Sequence, residues 1–81
     1  MGNMAFERMA LDQVKYDVAI EHGEKIEPWF QHGTLWCDFI NKSIAETIKQ
    51  SLSNFTNSEV TVSCLKATTT EPWDQWAFDI H

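Results

Sequence analysis

Ile40, Ile44, Ile48, Leu52 and Phe55 recur at intervals of three or four, with Ala45 beside them, while Lys42, Glu46, Lys49, Gln50 and Ser53 fill the gaps. This spacing writes one apolar stripe along a helix from Asn41 to Phe55 and leaves the rest of its surface polar. Asn41 can cap that helix, or Ser43 with Glu46 can form a capping box, and Asn54 to Ser58 supplies a stop. A helix with a single stripe has to lay it on an apolar surface, so the remainder of the chain must provide one.

Alternation elsewhere predicts that the cover is a sheet. Val14, Tyr16, Val18 and Ile20 alternate with Lys15, Asp17, Ala19 and Glu21, the pattern of a strand with one buried face. Glu21-His22-Gly23-Glu24 then reads as a turn. Lys25 to Phe30 reads as a second strand, confined by Pro28 to an edge or a bulge. His32-Gly33 repeats the turn signal, and Thr34 to Phe39 follows as a third strand with Leu35, Cys37 and Phe39 on one face and Trp36 on the other. Beyond the helix, Val60, Val62 and Cys64 alternate with Thr61, Ser63 and Leu65. A last strand from Trp73 or Asp74 to Ile80 sets Trp76, Phe78 and Ile80 against Gln75, Ala77 and Asp79. The Thr68-Thr69-Thr70 run before Glu71-Pro72 joins these final strands as a hairpin.

The expected fold is therefore α+β, a small single domain with a mainly antiparallel sheet packed against one amphipathic helix in the order β-β-β-α-β-β. Residues 1–13, with Phe6, Met9 and Leu11 among polar neighbours, are expected to form an amino-terminal arm or short helix ahead of a compact domain at 14–81. A chain of 81 residues has room for one core, buried less completely than in a larger protein. No apolar run approaches a membrane span, and Glu7 and Arg8 interrupt the place where a secretory leader would be apolar, so a cytoplasmic protein is expected. Cys37 and Cys64 then read as reduced, buried thiols, and the Asn41-Lys42-Ser43 and Asn54-Phe55-Thr56 sequons carry no meaning.

Catalytic chemistry finds little support in the spacing. His22, His32 and His81 are scattered, no compact set of metal ligands occurs, and Cys37 lies in an apolar run, away from the exposed setting a nucleophilic thiol needs. The glycines are isolated, which removes phosphate loops and dinucleotide fingerprints. The reading is of a non-enzyme with no cofactor and no metal. Direct nucleic-acid binding is disfavoured as well, because Arg8, Lys15, Lys25, Lys42, Lys49 and Lys66 form no cluster against twelve acidic residues.

What the composition offers instead is four tryptophans on a chain of net charge -6. Tryptophan desolvates a large area at protein interfaces, and an acidic rim steers an electropositive partner into register. Trp29, Phe30, Trp36 and Trp73 are the expected contact residues, rimmed by Glu24, Glu27, Asp38, Glu71 and Asp74. The expected function is a small acidic protein-binding module that inhibits or regulates a nucleic-acid-processing protein. Small phage-encoded counter-defence proteins offer an analogy of size and charge, without any shared motif. The alternative is a homo-oligomeric structural or assembly subunit that uses the same aromatics.

Overall fold

A computed structural model describes residues 3–81, in the order α1 (Asn3–His22), β1 (Trp29–Gln31), β2 (Thr34–Asp38), α2 (Lys42–Thr56), β3 (Val60–Leu65) and β4 (Gln75–Ile80). The strands form one antiparallel sheet with neighbours in the order β1-β2-β4-β3, so β4 lies between β2 and β3 and α2 crosses over it.

The α2 helix forms where its stripe predicts. Asn41 is extended at φ -99°, and its side chain accepts a hydrogen bond from the Ile44 amide at 2.8 Å, which selects the asparagine cap over the Ser43/Glu46 box. At the other end Asn57 turns left-handed at φ 55° and its amide returns to the Ser53 carbonyl. Ile44, Ala45, Ile48 and Leu52 are buried, the large aliphatics at about 1.5–3 kcal/mol each.

The expected strand at Val14 to Ile20 is instead the second half of α1, so the order is α-β-β-α-β-β and two helices cover the sheet. Ala10, Val14 and Val18 are fully buried, whereas Tyr16 is 63% and Ile20 70% exposed. The two pairs sit on different helical faces, because 14/18 and 16/20 are each four residues apart. A strand would have merged them into one face. Gly23, at φ 66°, ends the helix with its amide on the Ala19 carbonyl at 3.0 Å. The helix runs unbroken through Gln13 and Val14, so the boundary expected there falls inside it; Met1 and Gly2 of the expected arm lie outside the described residues.

The second expected strand shrinks to Trp29–Gln31, and the residues before it are irregular, with Ile26 and Pro28 buried. Its hairpin to β2 turns on His32 and Gly33, both at positive φ (53° and 80°), the backbone of a two-residue turn that matches strand twist. The helix side of the sheet carries Leu35, Cys37, Phe78 and Val60, which join Ala10, Val14, Val18, Ile44, Ile48 and Leu52 in a single core; Phe30, Val62, Trp76 and Ile80 pack against it. Phe6 of α1 meets Phe55 of α2 at 5.8 Å between ring centroids, closing the far end of the helix pair.

Both cysteines are reduced, Cys37 buried and Cys64 only half-buried. Burial, and secondarily the nearby Asp38 charge, push the Cys37 thiol from 9.0 up to about 12. Alkylation of the native protein is thus expected to label Cys64 alone, and unfolding to expose both. Between pH 9 and about 12 the unfolded chain loses the Cys37 proton while the folded one keeps it. The unfolded state then binds fewer protons, so stability falls as pH rises through that window. Urea melts across it should lose their slope in Cys37→Ala; an unchanged slope would mean the thiol titrates normally.

Candidate aromatic interface

The sheet has one face without helices, and the register fixes what stands on it. Trp29 lies opposite Trp36, Trp36 opposite Ala77, and Ala77 opposite Ser63, one row across all four strands. Residues directly opposite in an antiparallel pair point the same way. Both tryptophans are half-buried, and the Ala77 methyl set between Trp36 and Ser63 is only 5% exposed. Gln31, Thr34, Asp79 and Thr61 form the next row, with Thr34 donating to the Asp79 carboxylate. On the other side of the tryptophans the row is Asp38, Gln75 and Leu65.

At the Asp38 end the face folds over into a cluster. The Trp73 indole Nε1 donates to Asp38 Oδ2 at 3.0 Å, while Asp38 Oδ1 is buried and accepts nothing. Phe39 does not point inward with Leu35 and Cys37. It is held at φ 60°, is 77% exposed, and sets its ring 5.2 Å from that of Trp73 at a tilt of 36°. The chain must leave β2 and reverse into the Asn41 cap within two residues, and this sharp change of direction throws Phe39 outward. A bulky residue at positive φ is disfavoured by its Cβ, at roughly 1 kcal/mol or more. Phe39, Trp29 and Asp38 line a cleft of about 360 Å³ whose other wall is Lys25, Ile26 and Glu27.

The expected contact residues therefore separate. Trp29, Trp36, Trp73, Asp38 and Glu27 come together around this end of the open face. Phe30 lies on the helix side in register with Leu35. Glu24 lines a different cleft, with Asp12, Lys15, Tyr16 and Ala19 of α1. Glu71 and Asp74 belong to the β3–β4 loop, where the Glu71 carbonyl accepts from Thr68 and Asp74 accepts from the Ala67 amide. Nor is the rim purely acidic. Glu27 lies 3.9 Å from Lys15 and Asp74 3.6 Å from Lys66, both as exposed ion pairs, and Lys25 shares the cleft. Trp76, on the inner face, has a buried indole nitrogen without a partner.

The histidines stay apart. His22 Nε2 meets Thr47 Oγ1 at 2.7 Å, and that hydroxyl donates to Glu21; His81 Nε2 meets Thr61 at 2.7 Å; His32 stands at the hairpin tip. Cys37 faces the core five residues along β2 from that tip, so the two do not meet. Among the described residues, no group of three His, Cys, Asp or Glu side chains is placed to hold a metal ion, and no helix is long and apolar enough to cross a membrane. No protein-family model, curated protein or solved structure matches this chain.

Proposed function

We propose that this protein is a non-catalytic module that grips another protein with the open end of its sheet. The observation that carries the reading is Phe39, a large aromatic kept at positive φ and left in solvent against Trp73, beside the Trp29 cleft. A strained conformation persists where the surrounding structure imposes it, and such residues cluster at ligand clamps. An exposed ring preorganised against a half-buried one contributes binding area at little further cost in side-chain ordering. Beneath it the Trp73 indole is tied to Asp38 Oδ2 at 3.0 Å, which fixes the ring that Phe39 stands against.

The net charge of -6 favours an electropositive partner through long-range steering. A protein that handles nucleic acid offers such a surface, and inhibition by occupying it is the finer form of the proposal. The aromatics supply the grip, because the carboxylates at this end are mostly engaged with lysines, Trp73 or loop amides.

The test separates stability from binding. Phe39→Gly removes the ring and relieves the positive φ, so its melting temperature should equal or exceed that of the parent. Its affinity for a partner captured by the parent should fall at least about tenfold, with about 30-fold or more for Trp36→Ala, the loss of about 2 kcal/mol typical of a central anchor. A captured partner retained equally by both variants would remove this face as the binding site.

A further inference from the structure

We propose that β3 is a homodimerisation edge, pairing with β3 of a second copy in an antiparallel register centred on Val62 to make a continuous eight-stranded sheet. The starting point is the hydrogen-bond phase of the ladder. The His81 amide donates to the Glu59 carbonyl at 2.8 Å, in line with the pairing that continues as Thr61 with Asp79, Ser63 with Ala77 and Leu65 with Gln75. In an antiparallel ladder such pairs alternate, so the amides and carbonyls of Val60, Val62 and Cys64 point away from β4. The sheet ends at β3, and no other backbone group among the described residues takes them up.

The sequence of this edge lacks the usual protection. Exposed edge strands are blunted by lysine, proline, a bulge or brevity, yet Val60 to Leu65 is six residues without a charge, a proline or a glycine, paired without a break. The opposite edge differs, because β1 has three residues, follows Pro28 and shares a cleft with α1. A chain of net charge -6 repels itself, but none of that charge lies within β3, so the strand seam brings no like charges together. A second copy is the occupant because the edge is complementary to itself.

Self-complementarity fixes the register. With the two-fold axis at Val62, Val62 meets Val62 of the copy and Val60 meets Cys64 of the copy. These are the residues whose backbone groups are free, so three pairs exchange both of their hydrogen bonds. The same register sets Thr61 opposite Ser63 of the copy on the open face, hydroxyl to hydroxyl, and apolar opposite apolar on the helix side. Any two-fold relating antiparallel strands in one sheet is perpendicular to it, so both copies present their tryptophan rows on the same side. A paired strand about 20 Å long is a small interface, and the dimer is correspondingly weak, with association visible between micromolar and millimolar protein.

Sedimentation equilibrium over that range, with amide hydrogen exchange at low and high concentration, tests the pairing. The parent should show a monomer–dimer equilibrium in which the Val60, Val62 and Cys64 amides gain protection together with dimer. Thr61→Lys/Ser63→Lys changes two exposed side chains and puts lysine opposite lysine across the axis; it should weaken the dimer at least tenfold. Thr61→Lys/Ser63→Glu puts opposite charges there and should restore it. A protein monomeric throughout, with these three amides unprotected, overturns the proposal. So does a dimer indifferent to both double variants, and one lost in Trp36→Ala but kept in the lysine pair would move self-association to the aromatic face.

Discussion

Phe78→Ala is expected to cost about 3–5 kcal/mol and to bring the domain close to unfolding in water. Phe78 is the largest fully buried side chain, on the central strand β4, in register with Leu35 on one side and Val62 on the other, and in one core with residues of both helices. Its removal opens a cavity in a core to which both helices and the flanking strands β2 and β3 contribute, and these cannot all collapse inward. Domains carry about 0.05–0.15 kcal/mol of stability per residue, so a chain this short has little in reserve. Urea denaturation followed by far-ultraviolet circular dichroism should show most or all of the native baseline gone, with Phe78→Leu intermediate. A loss below about 1 kcal/mol would place the centre of the core elsewhere.

The second large effect separates helix from strand in α1. Val18→Asp buries a carboxylate without a partner in the core shared with α2, and should cost about 3 kcal/mol or more. Ile20→Asp, on the solvent side of the same helix, should stay within about 0.5 kcal/mol of the parent. Were Val14 to Ile20 a strand with one buried face, both substitutions would be equally severe. Comparable melting curves for the two would therefore contradict the helix.

The contrast shows what could be read in the sequence. The α2 helix was legible because its five large apolar residues fit one period and no other, and β2, β3 and β4 because their alternation runs between clear breaks. In α1 the same signal is ambiguous. Four apolar residues at every second position satisfy a strand, but they equally form two pairs at helical spacing, and only packing against α2 decides which pair is buried. Gly23 marked the end of that helix and was readable either as a turn or as a helix stop. At the candidate interface, Trp29, Trp36 and Trp73 were identifiable by residue type. Phe39 was not, since alternation along β2 assigns it to the core. The available signal was its position between the end of a strand and a helix cap, where the chain has to change direction.

The position of β4 between β2 and β3 also governs how the molecule can assemble in time. Until residues 75–80 have been synthesised, β2 and β3 share no neighbour, and the β1–β2 hairpin and the α2–β3 segment are two fragments without a common ladder. Entry of β4 closes contacts over more than forty residues at one end (Leu35 with Phe78) and about fifteen at the other (Val62 with Phe78). The entropy of closing the longer loop is met before most of the sheet's hydrogen bonds exist. The sheet therefore cannot be completed before β4 is present, and a nascent chain halted ahead of it would hold an apolar half-sheet open to whatever else is nearby.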